Sequence, residues 1–110
     1  MPAAYVIRRS TNAQFYFFLT SENNEPILTS ETYRDKSGAH TGINSVRVNS
    51  PLDQRYERLT AKDGSYYFVL KSGNYEIIGT SEMYSSIQAR DIGIASVKRN
   101  GPKAPVRDET

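Results

Sequence analysis

The sequence contains no cysteine, and only one histidine. A small secreted domain with a modest core is usually stapled by disulfides, so their absence points to a reducing compartment, the cytoplasm. It also removes thiolate nucleophiles and thiolate metal sites. No stretch approaches the ~20 apolar residues of a membrane span, so no membrane role is expected. Residues 1–13 hold no long apolar run, so no signal peptide is expected. The 7 glycines are scattered and form no phosphate-binding loop. No acidic cluster has calcium-loop spacing. No metal and no cofactor are expected. Charge of one sign is also scarce: 14 basic residues face 12 acidic ones, a net +2, where a dedicated nucleic-acid domain carries more.

A chain of 110 residues makes one compact domain, or two half-domains that share a core. The hydrophobic fraction is 37%, and 8 tyrosines and 4 phenylalanines supply much of the burial.

The strongest signal is an internal repeat. "TSETY" (Thr29–Tyr33) returns as "TSEMY" (Thr80–Tyr84), 51 residues later. At that offset Phe15–Pro51 aligns with Tyr66–Pro102 without a gap, and 17 of the 37 pairs are identical. Tyr5 and Tyr56 share the offset, so the chain divides into tandem units over about 5–54 and 55–108 within one domain.

Each unit opens as a three-stranded meander. In the first unit the strands are "YVIRR" (Tyr5–Arg9), "FYFFL" (Phe15–Leu19) and "PILTS" (Pro26–Ser30). In the second they are "YERLT" (Tyr56–Thr60), "YYFVL" (Tyr66–Leu70) and "EIIGTS" (Glu76–Ser81), with Asp63-Gly64 as a hairpin turn. The period then changes from 2 to 3.6, predicting helices over Lys36–Val48 and Ile87–Arg99. Asp35 caps the first, and Ser85 with Gln88 reads as a capping box for the second. A last strand is expected near Val106–Asp108. "RYERLT" (Arg55–Thr60) is expected to close one unit and open the next, binding the halves into one sheet. Gly42 and Gly93, at matching helical positions, imply close approach of helix to sheet.

Few residues offer chemistry. His40 is matched by Asp91 in the second copy and reads as a surface helix residue, so no catalytic residue is assigned. Ser30, Glu31 and Tyr33, with Ser81, Glu82 and Tyr84, form a symmetric turn site. A serine beside a glutamate is no triad, because a base must reach the hydroxyl and be oriented in turn. The Ser and Glu fit backbone capping, and the Tyr fits a plug between sheet and helix. A ligand pocket there would favour a small-molecule enzyme. The other candidate is the sheet face holding Tyr16, Phe18 and Tyr67, because helices can cover only one face of an open sheet. With Arg8, Arg9, Arg58 and Lys71 nearby in sequence, that face would suit a single-stranded nucleic acid. A bare, mixed-charge surface there would instead suit protein contacts or a purely structural role.

"NNEPILTSETY" followed by "GINSVRVNSP", repeated as "NYEIIGTSEMY" and "GIASVKRNGP", resembles the YegP-like family of small bacterial proteins over about Tyr5–Asp108. The resemblance implies a β(3)-α-β unit paired in tandem, with strands exchanged between halves. That family has no known function, so it supplies no catalytic residues. The expected fold is α+β: one mainly antiparallel sheet of about seven strands, two helices on one face, and pseudo-twofold symmetry. The expected role is a non-enzymatic cytoplasmic binding module, monomeric, with a protein partner ahead of single-stranded nucleic acid.

Overall fold

A computed structural model describes residues 2–110. The first unit holds β1 (Tyr5–Arg9), β2 (Phe15–Thr20), β3 (Pro26–Ser30) and α1 (Lys36–Asn49). The second holds β4 (Tyr56–Thr60), β5 (Tyr66–Lys71), β6 (Ile77–Thr80) and α2 (Ile87–Asn100), and β7 (Val106–Asp108) follows. The strands form one seven-stranded sheet in the order β4-β5-β6-β3-β2-β1-β7. Every pairing is antiparallel except β1 with β7. The α+β architecture read from the repeat is the observed one.

The junction of the halves differs from expectation. The strand β4 does not bind them together; it pairs with β5 and ends the sheet. The seam is β3 with β6, where Thr29 lies opposite Thr80. These two residues are each other's repeat counterparts, so the pseudo-twofold axis passes through this pair. The exchange of strands comes from β7, which follows α2 yet pairs with β1 of the other unit.

Alternation along the strands sends Tyr5, Ile7, Phe17, Leu19, Phe68 and Leu70 to the helix-bearing side, where all are fully buried. A bulge at Leu19/Thr20 and its counterpart at Leu70/Lys71 leave Ile27 and Ile78 as extra residues that join the same core. Tyr5 meets Phe17 edge-on at 6.0 Å, an arrangement that favours aromatic pairs beyond their burial.

The halves are also braced through two tyrosine hydroxyls. Tyr5 donates to the Gly101 carbonyl beyond α2 at 2.6 Å, and Tyr56 donates to the Ser50 carbonyl beyond α1 at 2.7 Å. Burial pushes both phenols well above their ordinary range.

Asp35 caps α1 by accepting from the Gly38 N–H at 2.8 Å. In α2 the cap is Ser86, not Ser85: its hydroxyl accepts from the Ala89 N–H at 3.0 Å. Ser86 is the repeat counterpart of Asp35, so the 51-residue register locates the cap where the short capping-box pattern did not.

Candidate functional site

Three surfaces contain the sequence-derived candidates. The first is the helix-free face of the sheet. One row crosses all seven strands through Arg107, Val6, Phe18, Thr29, Thr80, Val69 and Glu57. Below it lie Arg8 beside Tyr16 and Leu59 beside Tyr67. Tyr16, Phe18 and Tyr67 are half-buried, and Tyr16 and Phe18 lie 6.3 Å apart between ring centres.

The cations are distributed differently from the rings. Arg8 lies over Phe18 at 5.1 Å and pairs with Glu109 at 3.0 Å. Lys71 pairs with Glu57 at 2.5 Å, and Arg107 pairs with Glu109 at 2.9 Å. Arg58 does not join this face. It lies opposite Phe68 on the helix-bearing side, 3.1 Å from Asp53 and 3.9 Å from Asp91. Arg9 lies opposite Phe15 on that side too, over its ring at 4.9 Å. The structure therefore brings Tyr16, Phe18, Tyr67, Arg8 and Lys71 to one face, with both cations held by carboxylates.

The second surface is the symmetric turn. Ser30 accepts from the Phe17 N–H at 2.9 Å and donates to the Glu31 carbonyl at 2.7 Å. Ser81 repeats this with Phe68 and Glu82, at 2.9 and 2.8 Å. Both hydroxyls are committed to backbone, which ties the aromatic strand to the turn that leads into each helix. His40 is exposed on α1. Among the described residues, no group of three or more His, Asp or Glu side chains could hold a metal ion.

Tyr33 and Tyr84 belong to the third surface, a pair of grooves not foreseen from the sequence. Each lies between the helix of one unit and the β2–β3-type hairpin of the other. The first, about 770 Å³, is lined by Tyr33 and Gly42 on one side and Asn74, Glu76 and Ile78 on the other. The second, about 500 Å³, has the counterparts Tyr84, Gly93, Asn23, Glu25 and Ile27. Tyr33 stacks on Phe17 at 6.3 Å and Tyr84 on Phe68 at 6.5 Å. Burial makes both phenols weaker acids, pushing their pKa up, and the nearby Glu31 and Glu82 add to the shift.

Only the second groove is latched. Arg99 on α2 meets Glu22 of the opposite hairpin at 3.0 Å, and Asn100 joins Glu22 at 3.2 Å. The hydrogen bond from Arg99, more than any other influence, holds the Glu22 carboxyl down at about 2. In the first groove the counterparts are Val48, 70% exposed, and Gly73. The grooves escaped sequence reasoning because their walls come from different units, and only the strand order brings them together.

A family model described as "Domain of unknown function (DUF1508)" matches the chain twice, at residues 10–57 and 61–108. The UPF0339 protein YegP of Escherichia coli K12 is 49% identical over 110 residues, covering 100% of both chains. A UPF0339 protein of Bordetella pertussis is 53% identical over 108 residues, 98% of this chain and 97% of that one. The solution NMR structure of a UPF0339 protein from Shewanella oneidensis superposes with a TM-score of 0.91 at 51% identity, covering 98% of this chain and 92% of the other. That of YegP from E. coli, described as a protein of unknown function, gives 0.93 at 49% identity, covering 100% and 95%.

Proposed function

The chain belongs to the DUF1508 family of unknown function, and we propose that it is a non-catalytic binding module whose helix-free sheet face contacts a protein partner. The observation that carries this is the pairing of every cation on that face. Arg8 and Arg107 share the Glu109 carboxylate, and Lys71 holds that of Glu57. Phosphate binding draws its strength from cations that release counterions, and these three would first have to leave Glu109 or Glu57. Tyr16, Phe18 and Tyr67 remain as half-buried rings amid Thr29, Thr80 and Val69. Aromatic anchors within a polar rim are the usual composition of a protein interface. The committed hydroxyls of Ser30 and Ser81 favour a structural role for the symmetric turn over an enzymatic one.

In this proposal the two units, 5–54 and 55–108, act as one monomeric domain. Among the described residues no helix is long and apolar enough to cross a membrane. The lack of cysteine suits the cytoplasm. The test is capture from bacterial lysate by the wild type and by a Tyr16→Ala/Tyr67→Ala variant, with and without nuclease. The wild type is expected to retain a protein after nuclease treatment, and the variant to lose it, each ring contributing about 1–2 kcal/mol. Capture abolished by nuclease, or low-salt titration with oligo-U that saturates on the wild type, would replace the protein partner with a nucleic acid.

A further inference from the structure

The pseudo-twofold axis relates β1 to β4 and each unit's helix to the other's, but β7 has no counterpart in the sheet. It runs parallel to β1, with Tyr5 opposite Val106 and Ile7 opposite Asp108. Its ladder includes Tyr5 N–H to the Pro105 carbonyl at 2.8 Å and Glu109 N–H to the Ile7 carbonyl at 2.9 Å. So Tyr5 and Ile7 direct their backbone groups away from β2 and toward β7. Carried across the axis, the outward residues of β4 are Tyr56 and Arg58.

Only the start of the β4 edge is filled. The Tyr56 N–H donates to the Asp53 carbonyl. Asp53 stands where Ala104 stands beside β1: Lys98 of α2 holds its carboxylate at 2.7 Å, as Arg47 of α1 holds the Ala104 carbonyl at 2.7 Å. Beyond this point the place matching Val106–Glu109 is empty of chain. Among the described residues, no backbone group outside β5 pairs with Arg58 or Thr60. Glu57, Arg58 and Thr60 are exposed.

An unpaired strand edge is a template for another strand, and β7 shows what the matching edge accepts. We propose that the outer edge of β4 binds an extended segment of a protein partner, parallel to β4 and about four residues long, by strand addition. The proposal concerns the strand edge, which meets the aromatic face only at Glu57, and does not depend on the ring contacts.

The differences between the two edges define the occupant. On β1, Asp108 meets Lys36 at 2.9 Å and Glu109 meets Arg8 at 3.0 Å. The counterparts of Lys36 and Arg8 are Ile87, 48% exposed, and Leu59, so apolar residues replace acids at these places. Arg107 lies beside Val6 on the helix-free face, and the counterpart of Val6 is Glu57, which holds Lys71; a basic residue there would share that carboxylate as Arg8 and Arg107 share Glu109. The partner segment therefore reads apolar, basic, apolar, apolar, whereas the chain's own segment reads Val-Arg-Asp-Glu.

The test uses the full-length, nitrogen-15-labelled chain and two blocked hexapeptides. One copies residues 104–109 (Ala-Pro-Val-Arg-Asp-Glu), and the other is Ala-Pro-Val-Arg-Ile-Val. The second peptide should shift the Arg58 and Thr60 amides and slow their hydrogen exchange. The first should bind at least about tenfold more weakly, the equivalent of one or two net contacts. Arg58→Pro removes an outward N–H, a change that edge strands tolerate. It should abolish the shifts while leaving the rest of the spectrum folded, and Arg58→Ala should keep them. The proposal is overturned by unmoved Arg58 and Thr60 amides at peptide concentrations on the order of 1 mM, or by equal binding to a folded Arg58→Pro chain. It is equally overturned by shifts confined to Tyr16 and Phe18, or by concentration-dependent shifts without peptide, which would assign the edge to a second copy of the chain.

Discussion

Tyr84 and Gly93 show how two residues become a single requirement. A Cβ on Gly93 would lie 2.4 Å from the Tyr84 hydroxyl oxygen, and one on Gly42 would lie 2.3 Å from that of Tyr33. The sequence signalled a close approach of helix to sheet at both glycines; the nearest body is the tyrosine ring of the symmetric turn, and at Gly42 the Phe17 ring of β2 stands 2.8 Å from the same place. The glycine costs each helix about 1 kcal/mol of intrinsic propensity against alanine, and the ring that fills its place stacks on the core phenylalanine. Gly93→Leu is expected to destabilise the fold by ~1–3 kcal/mol in urea denaturation. Replacing Tyr84 by Leu at the same time should recover part of that loss. Strict additivity of the two changes would show that the ring is not what the glycine accommodates.

Among the elements, the turn from each third strand into its helix is fixed by one hydroxyl. The Ser81 side chain is the acceptor for the buried Phe68 N–H in β5. Ser81→Ala leaves that N–H without its partner, so a loss of about 1–3 kcal/mol is expected, read from thermal or urea unfolding; a neutral change would place water or another acceptor at the Phe68 N–H. Much at this scale was legible in the sequence. The repeat gave the two units, alternation put Phe17 and Phe68 opposite Tyr16 and Tyr67, and Asp35 announced the start of α1. What was illegible depends on partners far apart in the chain. Arg8 finds its carboxylate 101 residues away, at Glu109. Proximity in sequence suggested that Arg58 lay beside the rings, yet the alternation that buries Tyr56 sends Arg58 to the helix-bearing side. The place of β4 at the sheet edge follows from pairing order, which no local pattern encodes.

Across the whole molecule, the halves meet at a short strand seam and are reinforced by contacts that cross it. The latch between Glu22 and Arg99 is one of these, and it makes part of the stability depend on pH. Glu22 titrates at about 2 in the fold, below its ordinary 4.5. A carboxyl lowered by folding stabilises the native state above its ordinary value, and the contribution is lost as pH falls from about 4.5 toward 2. The urea midpoint should therefore drop between pH 6 and pH 3. Arg99→Ala should show a smaller drop and return the Glu22 carboxyl toward 4.5 in an NMR titration. An unchanged titration in Arg99→Ala would assign the shift to the Glu22 backbone and Asn100 instead.

The latch also records how a duplicated gene can come to hold two different things. Two identical repeats make two identical grooves, and natural selection can alter one while its twin preserves whatever the original did. Here a glutamate and an arginine stand where the other copy has Gly73 and Val48, so the grooves have diverged at their rims while their floors still share a tyrosine, a glycine and an isoleucine. Inheritance has left the chain with one groove unlatched and one latched at its rim by an ion pair, a difference that an ancestor built from two identical units did not have.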